Sequence, residues 1–248
     1  MATLLLLAVS GIPYWRLGGN APAWLSTLCW LNLLIAFSSL APYRIGQSRS
    51  DADWLLQLRK PGESRSGMAL LQVLAQETEG VPPRDWDTAI FKEMMTGRNA
   101  GAGEAIRQML AFYRQLDEGE EEAALGRLEA ALAASGVCGR ALRHGCFLEA
   151  ACSSGLLRGS AENARAWLAD ARKVRRPESQ QGAEAAIAMC ERRYADAVKH
   201  WDAALDFVAR RKLDSGLARF AKKRMIFCRR ECQEALARAA GPAETASA

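Results

Sequence analysis

The chain has 248 residues, of which half are hydrophobic and a quarter are charged, so it is not disordered from end to end. The charge is unevenly distributed, because no charged side chain lies between Arg16 and Arg44. This excludes an ordinary soluble globule over the whole length. A formal net charge of +5 is too small to predict nucleic-acid binding by itself, and we expect no nucleic-acid partner.

Residues 1–43 are predicted to form a membrane region. Residues 24–41 read WLSTLCWLNLLIAFSSLA without a charge, and as a helix they would span roughly 27 Å, close to the thickness of a hydrocarbon core. A buried core helix is the alternative. The apolar stretch 2–9 is too short to span a bilayer alone. It is either an interfacial helix or the end of a transmembrane helix that starts upstream of Met1.

The charges that flank residues 24–41 predict the orientation of the chain. Arg44, Arg49, Arg59 and Lys60 follow this segment, whereas only Arg16 precedes it. The positive-inside rule then places the larger, C-terminal part in the cytoplasm. Seven cysteines in no framework spacing agree, because they indicate reduced thiols. We therefore expect an integral membrane protein with a cytoplasmic helical domain.

A polar connector over residues 44–66 is predicted to lead into a helical domain over residues 67–238, with a disordered tail at 239–248. In the helical domain, apolar residues recur at spacings of three and four, and β-branched residues are scarce, which predicts eight or nine helices of about 12 to 20 residues. Asp85 and Ser160 are candidate helix caps. Predicted breaks contain Gly80 with Pro82 and Pro83, residues 97–103, Gly119, Ser135 with Gly136, Gly159, Pro177, and residues 212–216.

A three-position pattern repeats along this domain, with alanine at the first and third positions and a large apolar residue between them. The spacing is always four and then three residues, and successive copies are 40 and 33 residues apart. The pattern resembles the second helix of tetratricopeptide repeats, whose period is 34; an irregular helical bundle is the alternative. The three copies are Ala124, Leu128, Ala131; Ala164, Leu168, Ala171; and Ala197, Trp201, Ala204.

The junction after residues 24–41 reads FSSLAPYRIG and then SDADWLL. This resembles the C-terminal motif of site-2-type intramembrane zinc metallopeptidases, in which a helix ending in Asn-Leu-x-Pro precedes an Asp-Gly pair. The resemblance implies that Asp51 corresponds to the third zinc ligand of that family. A catalytic zinc takes three protein ligands and keeps an open position for water.

The sequence also departs from that family. It contains no His-Glu-x-x-His, and its two histidines, His144 and His200, are 56 residues apart. Ser38 and Ala52 stand where the family has asparagine and glycine. Asp51 is then a capping or loop aspartate, a remnant of the ligand position, or a working ligand whose histidines lie on an upstream polypeptide. We expect no cofactor on this chain alone, and zinc only if a catalytic half exists.

Other clusters of polar residues have simpler interpretations. Cys138 and Cys152 would be about four helical turns apart, too far to share a metal. Cys228 and Cys232 lie one turn apart and predict a packed stripe. Basic clusters lie at residues 172–176 and 222–230. The second forms a solvated helix face, a contact with anionic lipid headgroups, or a nucleic-acid contact, for which no recognition motif is present.

The sequence therefore predicts an all-α protein, with one or two N-terminal transmembrane helices followed by a tetratricopeptide-like antiparallel helical repeat domain. The predicted function is a membrane-anchored helical-repeat protein that binds a protein or peptide partner. Trp201, Tyr194 and the arginine-rich faces are surface candidates, although for Trp201 packing at a repeat interface is the favoured alternative. The alternative is the C-terminal portion of a site-2-type zinc metallopeptidase whose histidine ligands lie upstream or on another chain. As it stands, the chain is not expected to be catalytic.

Overall fold

The computed structural model describes residues 24, 27, 30, 31, 44–45, 48–49, 63–97, 102–173 and 180–239. The chain divides into two units, Met1–Arg65 and Ser66–Ala248. In the first unit, Trp24, Thr27, Trp30 and Leu31 are helical and exposed. Two short strands, β1 (Arg44–Ile45) and β2 (Ser48–Arg49), pair antiparallel, with Arg44 opposite Arg49 and Ile45 opposite Ser48.

Several predictions concern residues outside the described part of the chain. They include most of the membrane region at 1–43, most of the connector at 44–66, nearly all of the tail at 239–248, and Asp51. Within the described part, no helix combines the length and the apolar character that crossing a bilayer requires.

The rest of the described chain is helical, which confirms the all-α prediction for these residues. Three helices fall outside the expected length of about 12 to 20 residues, with 8, 10 and 24 residues. The nine helices described are α1 (Glu63–Thr78), α2 (Thr88–Met95), α3 (Ala102–Glu118), α4 (Glu121–Ala134), α5 (Arg140–Leu156), α6 (Ala161–Arg172), α7 (Gln181–Cys190), α8 (Tyr194–Arg210) and α9 (Gly216–Ala239).

Local chemistry sets several of the helix ends. Ser160 caps α6 as predicted, because its hydroxyl accepts a hydrogen bond from the amide of Asn163. The prediction for Asp85 is wrong. Pro83 begins a single 3₁₀ turn that contains Asp85, and Asp87 caps α2 instead, accepting from the amides of Ala89 and Ile90. The helix α1 begins at Glu63, inside the predicted connector.

Six of the nine helices form three hairpins: α3 with α4, α5 with α6, and α7 with α8. Each connecting turn contains one residue with positive φ, namely Gly119, Gly159 and Arg192 respectively. Glycine adopts this conformation without steric cost, whereas arginine does not. Two to four residues are therefore enough to reverse the chain in each hairpin.

The repeated pattern forms the buried side of the second helix in every hairpin. All nine of its residues are at most 6% exposed. Alanine at the first and third positions lets the paired helix approach closely, and Leu128, Leu168 and Trp201 fill the space between them. The pattern therefore predicted the packing surface of α4, α6 and α8 correctly.

Adjacent hairpins also contact each other through their first helices. Between α5 and α7 the approach is close at Gly155, where an added Cβ would lie 3.0 Å from the carbonyl oxygen of Ala186. A side chain at this position would have to push the backbone of α7 away. Glycine at 155 is thus required by the distance between the two helices rather than by a turn.

Candidate functional site

The C-terminal helix α9 extends beyond its neighbour α8 and contacts the first helix of each hairpin. We call the surface beneath it the first-helix face, defined by Tyr113 on α3, Glu149 and Cys152 on α5, and Ala185 and Ala188 on α7. A helix of 24 residues is about 36 Å long, enough to reach from α7 and α8 to the segment between α1 and α2. The first-helix face therefore already holds one α-helix.

The beginning of α9 is fixed to the turn that follows α1. An added Cβ at Gly216 would lie 1.9 Å from the carbonyl oxygen of Val81, so only glycine fits there. Leu217 packs against the cluster around Val73 and Trp86. Nη1 of Arg219 donates a 3.3 Å hydrogen bond to the carbonyl oxygen of Gly80. These contacts join the two ends of the helical domain.

The middle of α9 meets a polar cluster on the first-helix face. The ring of Phe220 contacts that of Tyr113 edge to face, with centroids 6.4 Å apart. The hydroxyl of Tyr113 donates a 2.9 Å hydrogen bond to Oε1 of Glu149. Arg224 on α9 is close enough to Glu149 for its positive charge to favour the carboxylate. One partly buried network thus connects α3, α5 and α9.

Farther along, α9 packs against the last hairpin through two thiols. Cys228 and Cys232 are both buried and belong to one apolar cluster with Ala188 of α7 and Trp201 of α8. This confirms that the two cysteines form a packed stripe. Outside the stripe, Nε of Arg229 lies 2.6 Å from Oδ1 of Asp202 on α8. The stripe fixes which side of α9 faces the protein.

Burial controls protonation in this cluster. Burial raises the pKa of Glu149 above its ordinary value, although the Arg224 charge and the hydrogen bond from Tyr113 act in the opposite direction. Burial and the negative charge of Glu149 raise the pKa of the Tyr113 phenol. Burial also raises the pKa of the Cys152 thiol to about 12 and that of Cys146 to about 11. These two thiols are protonated at neutral pH and are poor nucleophiles.

The histidines and cysteines that drew attention in the sequence have structural partners. Nδ1 of His144 lies 2.9 Å from the carbonyl oxygen of Ala171, and Nδ1 of His200 lies 2.7 Å from Oε1 of Gln181. The six cysteines in the described ranges are free thiols. In those same ranges, no group of three or more His, Cys, Asp or Glu side chains could hold a metal ion.

The residues predicted to carry function are not brought together. Asp51, the predicted zinc ligand, lies outside the described residues, so its role stays a prediction. Trp201 is 3% exposed, and its indole fills the core between α7, α8 and α9. This confirms the alternative that Trp201 is packed between helices and excludes it as a surface residue. Tyr194 is half-buried and packs against the same cluster.

Comparisons of this chain with protein families, with curated proteins and with solved structures find no match.

The sequence contains a signal for which side of α9 is buried. Leu217, Ala221, Met225, Cys228 and Cys232 recur at spacings of three and four, which is a narrow stripe of apolar and small residues. The basic residues between these positions interrupt the stripe and make it hard to recognise in the sequence.

Proposed function

We propose that this chain is a membrane-anchored protein whose tetratricopeptide-like helical domain binds a partner protein in the cytoplasm. The repeat type is supported by the pattern that recurs in α4, α6 and α8 and is buried in each. Stacked helical hairpins present extended surfaces that bind peptides and proteins. The membrane anchor is supported by the uncharged residues 24–41 and by the basic residues that follow them.

One observation carries the proposal that a protein is bound: α9 lies along the first-helix face. A surface that contacts a helix through apolar, aromatic and charged groups at once has the chemistry by which helical grooves recognise amphipathic helices. A partner would supply a helix or extended segment with the same combination. It would contact the repeats beside α9 or compete with it for the first-helix face.

The test compares the full chain with a matched fragment of residues 1–62, each carrying the same C-terminal tag. Both are extracted from native membranes with mild detergent and separated by size exclusion. We expect the full chain to elute with one other polypeptide at a fixed molar ratio, and the fragment to elute without it. A full chain that elutes with no other polypeptide would contradict the proposal. Retention of the partner by the fragment would assign binding to the membrane region instead.

A further inference from the structure

The side of α9 that faces away from the protein combines basic and apolar side chains. We define this outer face by Lys222, Lys223, Ile226, Phe227 and Arg230. These positions follow one another at helical spacing, on the side opposite to the buried Cys228 and Cys232. Because those two cysteines are packed into the core, the outer face is held toward solvent.

Two large apolar side chains form the centre of the outer face. Ile226 is 50% exposed and Phe227 is 54% exposed. Both lie on the solvent-facing side of α9, where a solvated helix would carry polar residues. The guanidinium of Arg230 lies over the ring of Phe227, 5.6 Å from its centroid. Neighbouring apolar side chains exposed in the middle of a long helix indicate a surface that is covered in use.

The charges around this apolar centre are mainly positive. Lys222 and Lys223 take part in no ion pair among the described residues, while Arg230 is 3.6 Å from Glu234. Asp214 accepts two hydrogen bonds from Arg219, and the positive charge of Lys222 also helps to lower the pKa of this carboxyl. The outer face therefore attracts an anionic surface, and transfer of its apolar centre out of water adds a further favourable free energy.

From this combination we propose that the outer face of α9 binds the surface of an anionic lipid bilayer. Helices that lie in a membrane interface have this arrangement, with aromatic and aliphatic side chains inserted below the headgroups and Lys or Arg beside them. The inference rests on the proposed membrane anchor. From residue 41 to Glu63, an extended chain covers at most about 70 to 80 Å, which keeps α9 within reach of the same bilayer.

The chemistry favours lipid over an acidic protein or a nucleic acid. The ammonium groups of Lys222 and Lys223 beside inserted Ile226 and Phe227 suit a fluid surface of headgroups, which needs no matched geometry. A protein partner would require a defined counterpart for each group, and a nucleic acid would require several phosphate contacts and bases to stack on. The test below therefore includes results that would indicate one of these other classes of partner.

The experiment uses the full chain with a photoreactive benzophenone amino acid in place of Phe227. The control chain carries it in place of Ala130, an exposed residue on α4. Each chain is reconstituted from mild detergent with phosphatidylcholine, with or without phosphatidylglycerol, and its association with the vesicles is measured by flotation. After irradiation, adducts between protein and lipid are quantified by mass spectrometry.

We expect lipid adducts at position 227 in vesicles that contain phosphatidylglycerol, and few at position 130. The double variant Lys222→Gln, Lys223→Gln should lower the yield of adducts at least fivefold, since each basic residue near an anionic surface contributes about fivefold to binding. Raised salt should lower the yield as well.

The outcomes separate this inference from the proposed anchor. Two results would overturn the inference and leave the anchor standing, both for a chain that floats with both kinds of vesicle. One is the absence of lipid adducts at position 227, and the other is the formation of such adducts regardless of anionic lipid. Adducts from position 227 to a second protein molecule overturn it as well. A chain that floats only with anionic vesicles, and loses this in the double variant, supports the inference and contradicts the anchor. A chain that floats with neither contradicts both.

Discussion

The phenol of Tyr113 on α3 donates a 2.9 Å hydrogen bond to the carboxylate of Glu149 on α5. Each of the two residues also meets α9, Tyr113 through the ring of Phe220 and Glu149 through the charge of Arg224. This pair is therefore where two hairpins and the C-terminal helix are coupled. The titration of Glu149 and the packing of α9 against this pair both affect the stability of the protein, which can be measured.

We predict that Glu149 makes the stability of the protein depend on pH. Burial raises the pKa of this carboxyl in the folded protein above its ordinary value of 4.5, so the folded state binds the proton more tightly than the unfolded state. Stability should then decrease as the pH rises from about 4.5 through the raised pKa. The Glu149→Gln variant keeps an oxygen for the Tyr113 hydroxyl and lacks the charge, so it should lose this dependence.

The measurement is urea unfolding of the full chain in mild detergent across that pH range. The quantity to follow is the free energy of unfolding of the wild-type chain minus that of Glu149→Gln. The titrations of other groups cancel in this difference, so it reports Glu149 alone and should fall as the pH rises. Glu122→Gln, on the exposed side of α4, controls for the loss of one carboxylate. A difference that is flat, or that rises with pH, would show that the folded protein does not favour the protonated form.

A substitution at Gly216 should weaken the attachment of α9. Gly216→Ala places a Cβ 1.9 Å from the carbonyl oxygen of Val81, so the start of α9 must move away from the turn after α1. We expect a loss of about 1–3 kcal/mol in unfolding free energy. Limited proteolysis should show faster cleavage around Asp214. Gly126→Ala, which meets nothing within 4 Å in α4, should instead stabilise by about 0.5–1 kcal/mol.

Two glycines in α5 should respond to alanine with opposite signs. At Gly155 the added Cβ would lie 3.0 Å from the backbone of Ala186 on α7, whereas at Gly145 it would meet nothing within 4 Å. We expect Gly155→Ala to destabilise by about 1 kcal/mol and Gly145→Ala to stabilise by about 0.5–1 kcal/mol. Thermal unfolding of the two variants side by side checks this. Equal shifts would contradict the close approach of α5 and α7.

The repeated pattern can be tested with two neighbouring alanines in α4. Ala131, the third position of the first copy, is fully buried, and Ala130 is exposed. Ala131→Leu should cost about 1–3 kcal/mol because the added methyl groups have no space, while Ala130→Leu should stay within about 0.5 kcal/mol of the wild type. If urea unfolding gives the same stability for both variants, Ala131 does not lie at a tight helix contact.

Much of the helical domain was predictable because the residues that end its helices act locally. Glycine and proline stand between most pairs of helices, and helical spacing identified the buried sides of α4, α6 and α8. The turn between α7 and α8 was missed because it contains neither residue. There Arg192 takes a positive φ, and the amide of Arg193 closes the end of α7 on the carbonyl oxygen of Ala188.

The candidate site was harder to predict because it depends on contacts between distant parts of the chain. Gly216 meets Val81, and Phe220 meets Tyr113, across more than 100 residues of sequence. Periodicity shows which side of α9 is buried, but it does not show which surface receives it. The same limit applies to Trp201, because its spacing indicates a packed position but does not show that α9 lies over α8 and completes its burial.

The most direct test of the proposed function is cross-linking on intact native membranes with a lysine-reactive reagent, followed by mass spectrometry. Six lysines lie in the helical domain: Lys92 on α2, Lys173 at the end of α6, Lys199 on α8, Lys212 after α8, and Lys222 and Lys223 on α9. We predict cross-links from these lysines to one other protein. Cross-links found only within this chain or between its own copies would contradict the proposal that the domain binds a partner.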